Sequence, residues 1–272
     1  MKLHFAKMHG VGNDFMVARW PDGAPEPDAA LVRRWADRRQ GVGFDQLLIL
    51  SQAADADAAY RVFNADGTEV EQCGNGVRCV ARFLAGETDA RSLRLLGATG
   101  PVEARILGGG AVSVNLGTPE YDPRAVPLDA ECEADRYRVP LGDGVVEFGA
   151  VSMGNPHAVI RVDSVDTAPV GILGPELQNH RAFPDGVNVG FMQVESARRI
   201  RLRVCERGVG ETPACGTGAA AAVAVGRRWG ELAEDVRVSL PGGELRVRWP
   251  GPGTALWLTG PTTWVYEGRI EL

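Results

Sequence analysis

The order of apolar and polar residues along the chain is that of many short strands and few helices. Residues 244–249 alternate between polar and apolar side chains with a period of two, which is typical of a half-buried strand, and the stretch 60–63 is one of several with strand composition. A helix is predicted over 28–39, where an aspartate cap precedes an apolar stripe and a basic last turn. Two further helices are predicted to begin near Gly76 and Gly216. The pattern predicts a mixed α and β fold in which strands dominate.

A proline-rich stretch divides the chain into two halves. Residues 117–127 contain three prolines and show no periodicity, and each half is long enough for a domain of ordinary size. A second break at 260–261 precedes a last strand-like segment, which we expect to pair back into the first half. We therefore predict an N-terminal domain made of residues 1–117 and 262–272, and a C-terminal domain made of residues 118–261.

The composition is that of a globular protein and argues against several functional classes. Of 272 residues, 44% are hydrophobic and 24% are charged, so a packed core is expected. The net charge is −6 and the Lys and Arg residues are scattered, which argues against nucleic-acid binding. The N-terminus lacks the apolar segment of a secretory signal, and the longest small apolar stretch, 219–225, is far shorter than the roughly 20 residues of a membrane span. We therefore expect a cytoplasmic protein with no membrane partner.

The cysteines do not form a disulfide framework or a metal-binding pattern. There are five, at positions 73, 79, 132, 205 and 215, and none belongs to a Cys-x-x-Cys pair. Neither the cysteines nor the four histidines have the spacing of zinc ligands, so no metal site is predicted. The sequence contexts of Cys79, Cys132 and Cys205 are those of ordinary structural residues.

Cys73 and Cys215 differ from the other three because each begins the same short motif. Cys73 begins Cys-Gly-Asn-Gly and Cys215 begins Cys-Gly-Thr-Gly, at an offset of 142 residues (215 − 73), and each motif precedes a helix-forming stretch. Glycines allow a ligand to approach the backbone closely, and the free N–H groups of a helix start bind anions such as a carboxylate. A cysteine at this position is expected to have a pKa below its usual value of ~8.5.

Two such motifs, one in each half, suit the inversion of a stereocentre. If both helix starts bind one carboxylate, the two sulfurs flank its α-carbon, so that one thiolate removes the proton and the opposite thiol delivers another to the other face. The helix starts stabilise the charge that develops in the carboxylate. We therefore predict a cofactor-independent amino-acid epimerase in which Cys73 and Cys215 form an acid–base pair with coupled titration.

Further polar residues lie in loops bounded by glycine, where functional residues collect. An Asn in such a loop commonly forms a turn, but repeated Asn residues also suit a neutral site for ammonium and carboxylate groups. Glu206 could hold an ammonium group and Arg207 a carboxylate, or the two could be a surface charge pair. His157 is either a structural residue beside a proline turn or a group that tunes a nearby thiol.

Six motifs follow one another along the chain: MHGVGNDF (8–15), GVGFDQ (41–46), FNADGTEVEQCGNGVRC (63–79), SMGNPH (152–157), GVNVGF (186–191) and ERGVGETPACGTGA (206–219). Together they resemble the diaminopimelate epimerase family. The resemblance implies an α+β fold of two pseudo-symmetric β-rich domains, barrel-like or sandwich-like, each around a central helix. It also implies conversion of LL- to meso-diaminopimelate in lysine and peptidoglycan precursor biosynthesis by a homodimer, without pyridoxal phosphate, metal or any other cofactor.

The same resemblance implies roles for individual residues. Cys73 and Cys215 would be the two catalytic thiols, and His157 and Glu206 would influence the acidity of the cysteines. The residues that would contact the substrate are Asn13, Gln46, Asn64, Gly74, Asn75, Asn155, Asn188, Glu206, Arg207, Gly216 and Thr217.

Two other functions compete with this one. The nearer is a related two-cysteine racemase acting on proline or hydroxyproline, but that family has a Cys-Gly-His motif in its first half, where this chain has Asn75, and the sequence Glu-Arg-Gly at 206–208 favours the diaminopimelate branch. The other is a thiol-redox or disulfide-regulated binding protein, since two facing thiols can be oxidised to a disulfide.

Overall fold

The computed structural model describes residues 1–70, 74–142 and 144–272. These residues form eighteen strands and four α-helices, so strands dominate. The helices are α1 (Ala29–Ala36), α2 (Gly74–Thr88), α3 (Val170–Gln178) and α4 (Gly216–Arg228). The strands are β1 (Lys2–Gly10), β2 (Asn13–Arg19), β3 (Gln46–Ser51), β4 (Ala58–Asn64), β5 (Glu69–Val70), β6 (Ser92–Gly97), β7 (Gly100–Ile106), β8 (Ala111–Asn115), β9 (Tyr137–Leu141), β10 (Gly144–Ser152), β11 (Pro156–Arg161), β12 (Asn188–Ser196), β13 (Arg199–Glu206), β14 (Gly210–Thr212), β15 (Asp235–Leu240), β16 (Gly243–Arg248), β17 (Trp257–Pro261) and β18 (Thr263–Glu271).

The chain divides into two compact units. The first comprises residues 1–115 and 259–272, and the second comprises residues 116–258. Both divisions lie a few residues before the boundaries expected from the proline-rich stretch and the Gly-Pro break. The first falls there because β8 ends just before Leu116, whose N–H donates to the carbonyl of Leu256 (2.9 Å) in the second unit.

The strands of the first unit pair in a continuous series around α2. β1 pairs antiparallel with β18 and β2, β2 pairs parallel with β3, and β3 pairs antiparallel with β4. β4 pairs antiparallel with β5 and parallel with β6, and the antiparallel pairs β6–β7 and β7–β8 follow. α2 is buried over most of its surface from Gly74 to Ala85 and packs against β1, β2, β3, β6, β7 and β8. It is therefore the central helix of this unit.

The second unit repeats this order of pairings around α4. β10 pairs antiparallel with β9 and β11, β11 pairs parallel with β12, and β12 pairs antiparallel with β13. β13 pairs antiparallel with β14 and parallel with β15, and β15 pairs antiparallel with β16. Strands β1–β7 thus correspond to β10–β16, and α2 corresponds to α4. The predicted α+β class, with two pseudo-symmetric β-rich domains around central helices, is confirmed.

The composition of α4 explains how it is buried on every side. Residues 219–226 are alanine, valine or glycine, and all are buried. Small side chains let the surrounding strands approach the helix at the packing density of a protein interior. Arg227 and Arg228 end the buried stretch and lie in the last turn, where positive charge interacts favourably with the helix dipole. Within the described ranges, no helix is long and apolar enough to span a membrane.

α1 begins at its predicted cap but is shorter than predicted. The Asp28 carboxylate accepts the N–H of Leu31 (2.6 Å), which satisfies a donor of the first turn. The helix ends at Ala36 because the carboxylate of the next residue, Asp37, accepts the N–H groups of Arg39 and Gln40 (2.7 Å each) and so forms a turn.

Candidate active site

Cys215 lies at the amino end of α4, where its sulfur accepts a backbone hydrogen bond. It is the N-cap residue, and its Sγ accepts the N–H of Gly218 at 3.3 Å. The hydroxyl of Thr217 lies 3.6 Å from the same sulfur. The residue is buried, with 4% of its surface exposed. The sulfur therefore lies among the N–H groups that have no partner within the helix.

The pKa of the Cys215 thiol is raised well above its usual value. Burial contributes most, and the negative charge of Glu206 adds to it. The Thr217 hydroxyl and the Gly218 N–H act in the opposite direction and are outweighed. The lower pKa predicted for a cysteine at a helix start is therefore wrong for Cys215. Its thiol is protonated at neutral pH because the loss of water around a buried thiolate outweighs the hydrogen bonds of the helix start.

Glu206 lies beside Cys215, at the last position of β13. Its carboxylate accepts the hydroxyl of Thr212, on the neighbouring strand β14, and the thiol of Cys215. Burial raises the pKa of Glu206, and these two hydrogen bonds offset the rise only in part. A largely buried carboxylate next to a thiol can bind an ammonium group or exchange a proton with the sulfur.

A chain of hydrogen bonds connects Thr217 with His157. The amide nitrogen of Asn155 donates to Thr217 Oγ1 (3.4 Å), and Asn155 Oδ1 lies 3.0 Å from His157 Nε2. Because the amide oxygen can only accept, the histidine carries its proton on Nε2. Burial, together with the charge of Arg207, lowers the pKa of His157 to about 3, so the ring is neutral at neutral pH. The chain gives His157 an indirect path to Cys215.

Asn188 and Arg207 are joined through the backbone. Asn188 is buried, its Nδ2 donates to the carbonyl of Pro156 (2.9 Å), and its Oδ1 accepts the N–H of Arg207 (2.9 Å). The Arg207 side chain is exposed and donates to the carbonyl of Asp185 (3.0 Å). Gly186 leaves room for it, since φ there is +71° and a Cβ would lie 3.1 Å from Arg207 Cδ. Asn188 therefore holds the backbone from which the Arg207 guanidinium projects.

Three amide side chains of the first unit lie at strand ends. Asn13 begins β2, Gln46 begins β3 and Asn64 ends β4. Gln46 and Asn64 are opposite each other in the register, and Gln46 Nε2 donates to Asn64 Oδ1 (3.0 Å). Gln46 Oε1 is buried, and no donor among the described residues reaches it. A buried acceptor without a partner costs ~1–3 kcal/mol, so an N–H or ammonium group of a ligand would stabilise it.

The first turn of α2 contains the other predicted contacts of the first unit. Gly74 and Asn75 are both buried there. Arg78, also fully buried, donates to the carbonyl of Gly74 (3.3 Å) and to Oδ1 of Asn75 (2.9 Å). This guanidinium holds the turn in place. Cys73, the residue before α2, lies outside the described residues.

The predicted site residues form pairs at the same offset of 142 residues as the two cysteines. The pairs are Asn13 and Asn155, Gln46 and Asn188, Asn64 and Glu206, Gly74 and Gly216, and Asn75 and Thr217. Members of a pair occupy corresponding positions: β3 and β12 begin with the second pair, and β4 and β13 end with the third. Sequence reasoning restricted to the cysteine motifs misses this pairing, although a comparison of the chain with itself at that offset finds it.

Sequence reasoning also missed several residues around the site. Thr212 donates to Glu206 from the neighbouring strand, and Arg78 holds the first turn of α2. Lys7, Asp14, Arg38 and Asp45 form a charged cluster adjoining Asn13 and Gln46. Three of these four cluster residues are charged side chains in otherwise ordinary contexts, so no local pattern distinguishes them.

The remaining cysteines have the structural character predicted for two of them. Cys79 and Cys205 are buried and Cys132 is exposed. Cys205 precedes Glu206 on β13, so its side chain points to the opposite face of the sheet, where a Cβ on Gly174 would lie 2.8 Å from its sulfur. Across the described residues, no group of three or more His, Cys, Asp or Glu side chains could hold a metal ion.

Comparison with known proteins identifies similar sequences over the whole chain. The family model described as diaminopimelate epimerase matches residues 5–121 and 149–265. A relative described as diaminopimelate epimerase, from Ectopseudomonas mendocina (strain ymp), is 49% identical over 276 residues, which cover 100% of both chains.

Solved structures share the fold at low sequence identity. A hydroxyproline epimerase from Agrobacterium vitis has a TM-score of 0.69 and 18% identity, covering 99% of this chain and 92% of its own. A PhzF-family phenazine biosynthesis protein from Bacillus anthracis has a TM-score of 0.70 and 15% identity, covering 100% of both chains. At these identities the likeness concerns the fold alone.

Proposed function

Because the chain belongs to the diaminopimelate epimerase family, we propose that it converts LL-2,6-diaminopimelate to the meso isomer without a cofactor, in lysine and peptidoglycan precursor biosynthesis. The observation that carries the proposal is the environment of Cys215, a buried thiol between the N–H of Gly218 and the carboxylate of Glu206. The sequence repeats the same motif at Cys73. Epimerisation needs an acid and a base on opposite faces of one carbon, and a thiol and a thiolate supply them.

We assign the reacting end of the substrate to the helix starts. The first turns of the two helices, at Gly74 and Asn75 and at Gly216 and Thr217, bind its carboxylate through backbone N–H groups. Glu206 binds its ammonium group through a charge-assisted hydrogen bond.

Diaminopimelate has an amino-acid group at each end, so a second set of contacts is required. Arg207 suits the second carboxylate because its guanidinium is exposed and planar. The side-chain amides complete the set with donors and acceptors for both ends: Asn13, Gln46, Asn64, Asn155 and Asn188. Their role is to place the correct stereocentre between the two sulfurs.

In the protonation state that burial and Glu206 favour, Cys215 is the proton donor and Cys73 is the base. The Cys73 thiolate takes the α-proton, and the electron pair of the broken C–H bond moves into the carboxylate, which the helix N–H groups stabilise. Cys215 then gives its proton to the opposite face of the same carbon, which leaves Cys73 as the thiol and Cys215 as the thiolate. The reverse reaction starts from that second state, so the cysteines exchange roles with direction.

Substrate binding at Glu206 adjusts the acidity of Cys215. The negative charge of Glu206 raises the pKa of the thiol in the free protein. A substrate ammonium group paired with Glu206 offsets that charge and lowers the pKa of Cys215 towards the working range. The thiol therefore becomes an effective acid when the substrate is present.

We also propose that the protein is a cytoplasmic homodimer. Three consecutive large apolar residues of β18, Trp264, Val265 and Tyr266, are exposed. Trp264 stacks on Phe83 of α2, with ring centroids 5.7 Å apart, which fixes this part of the surface. Exposed apolar patches of this kind are typical of interfaces, and we assign this one to a second copy of the chain.

Turnover by the reduced protein tests the proposed reaction. LL-diaminopimelate is incubated with the protein without pyridoxal phosphate, and the meso isomer is followed by chiral chromatography. We expect conversion by the wild type, and a fall in kcat of roughly 10²- to 10⁴-fold for Cys73→Ala and for Cys215→Ala, since each removes one proton-transfer group. Cys132→Ala is the matched control, because Cys132 is exposed and is expected to leave turnover unchanged.

Each part of the proposal has its own contrary result. A wild type that forms no meso product would refute the substrate. Normal turnover by either of the two catalytic-cysteine variants would refute the acid–base pair. Proline and hydroxyproline, assayed in parallel, address the racemase alternative, and we expect no turnover of either.

A further inference from the structure

A charged cluster adjoins the amide side chains of the first unit. It consists of Lys7, Asp14, Arg38 and Asp45. Asp14 follows Asn13 at the start of β2, and Asp45 immediately precedes Gln46 at the start of β3. Two members of the cluster are therefore the sequence neighbours of amides that we assign to substrate binding.

Asp14 and Asp45 hold the two strand starts together by reciprocal hydrogen bonds. The backbone N–H of Asp14 donates to Asp45 Oδ2 (3.1 Å), and the backbone N–H of Asp45 donates to Asp14 Oδ1 (2.9 Å). The carbonyl of Asp45 also accepts the N–H of Ala65 (3.0 Å), the residue after Asn64. The backbone next to all three amides is thus fixed by the same two aspartates.

Two cations keep these neighbouring carboxylates together. Arg38 donates to both oxygens of Asp14 (2.9 and 2.8 Å) and to Oδ1 of Asp45 (2.7 Å). Lys7, which is buried, donates to Asp14 Oδ2 (2.5 Å) and to the carbonyl of Gly43. Burial raises the pKa of Asp14, but the hydrogen bonds from Arg38 and Lys7 outweigh it and hold that pKa below its usual value. The planar fork of Arg38 bridges both carboxylates, which a lysine cannot do.

The second unit holds its corresponding amide in a different way. At an offset of 142 residues, the described positions that correspond to the four cluster residues carry no such charges and are Gly149, Pro156, His180 and Val187. There the side chain of Asn188 itself forms the structural hydrogen bonds, to Pro156 and Arg207. In the first unit the charged cluster forms them instead, and the Oε1 atom of Gln46 is left without a donor from the described residues.

We propose that the charged cluster positions the three amides of the first unit for substrate binding, with Arg38 as its central positioning residue. By fixing the backbone of the strand starts, the cluster leaves the side-chain amides to the ligand. This inference rests on the proposed function and adds a determinant of substrate affinity to it.

Steady-state kinetics of Arg38→Met test the inference. The side chain is 58% exposed, so its replacement leaves the core of the unit intact. We expect the KM for LL-diaminopimelate to rise by roughly tenfold to hundredfold, because small misplacement of binding groups has large effects, while kcat changes much less. Arg38→Lys, which keeps the charge but lacks the fork, is expected to give an intermediate KM. Arg19→Met is the matched control, because Arg19 forms a surface ion pair with Glu87 (2.8 Å) in the same unit.

Thermal unfolding of the same samples separates positioning from loss of folding. A raised KM with an unchanged kcat in folded Arg38→Met supports the inference. A KM equal to that of Arg19→Met overturns it, as does a loss of kcat and Tm with KM unchanged. If Arg38→Met does not fold, Arg38→Lys is judged by the same criteria. A wild type without turnover would instead refute the proposed function, and this inference with it.

Discussion

Cys215 is subject to two opposed influences on its acidity. The N–H of Gly218 lowers the pKa of the thiol, whereas burial and the charge of Glu206 raise it and prevail. The sequence reveals the first influence, because the glycines and the following helix are visible in the motif. It does not reveal the second, because burial depends on the whole fold and Glu206 reaches the sulfur from another strand. The direction of the shift therefore required the structure.

Replacing Glu206 with glutamine is expected to lower the pKa of the Cys215 thiol. Glutamine has a similar size but lacks the charge that raises the pKa. At any fixed pH the thiolate fraction of Cys215 then increases, so its titration moves to lower pH. The ultraviolet absorbance of the thiolate, followed against pH with and without Cys215→Ala in the same background, measures this shift.

Glu211→Gln provides the control for that experiment. Glu211 belongs to the same hairpin and pairs with Arg203 (2.6 Å), so its replacement is expected to leave the titration of Cys215 where it is. An unchanged or higher pKa of Cys215 in Glu206→Gln would contradict the influence assigned to that carboxylate.

At the scale of elements, the first turn of α4 is packed tightly around the sulfur. A Cβ on Gly218 would lie 3.2 Å from Cys215 Sγ and 3.0 Å from Cγ2 of Val204. Both distances are shorter than ordinary contacts, so a side chain there would displace the sulfur or the strand behind it. The glycine of the motif is therefore required by the close approach of β13 to the helix.

Gly218→Ala is expected to reduce catalysis more than stability. Alanine favours the helix by ~1 kcal/mol, which partly offsets the crowding, whereas displacement of the sulfur lowers kcat/KM by roughly tenfold to hundredfold. Gly171→Ala in α3 is the control, because a Cβ there meets nothing within 4 Å. Kinetics and thermal unfolding of both variants check the prediction, and a wild-type kcat/KM in Gly218→Ala would show that the tight turn does not fix the sulfur.

The starts of the central helices could be predicted from local sequence, but the pairing of the strands could not. Helices were expected near Gly76 and Gly216, and they begin at Gly74 and Gly216. The parallel pairs β2–β3 and β11–β12 join segments separated by a helix and depend on packing across the whole unit. The contact between Gln46 and Asn64 follows from strand register, so no local pattern predicts it.

At the scale of the whole molecule, two copies of one scaffold carry different charges. Asn64 corresponds to Glu206, and Ala65 corresponds to Arg207. The same strand end thus presents neutral groups in one unit and an acidic and a basic residue in the other. The repeat of the cysteine motif indicated the shared scaffold, whereas the correspondence of the strand ends became apparent from the order of pairings.

The proposed homodimer predicts an effect of charge on β18. Val265→Lys places a charge within the exposed apolar residues of that strand and is expected to shift the protein from dimer to monomer, because burying an unpaired charge opposes association. Val145→Lys is the control, since Val145 is an exposed valine, 68% accessible, on β10. Sedimentation equilibrium measures the mass of each variant, and a monomeric wild type or a dimeric Val265→Lys would contradict the assignment of this surface.

The central claim is that Cys73 and Cys215 transfer protons to and from opposite faces of one carbon. Its most direct test is the isotope content of both isomers early in the reaction of LL-diaminopimelate in D₂O, measured by NMR and mass spectrometry. Thiol protons exchange with solvent, so the donor delivers deuterium while the base retains the hydrogen it removed. We predict meso product that carries one deuterium at the inverted carbon, and remaining LL substrate that is still unlabelled. Product that keeps the substrate hydrogen, or substrate that gains deuterium as fast as product forms, would show a single base and contradict the account.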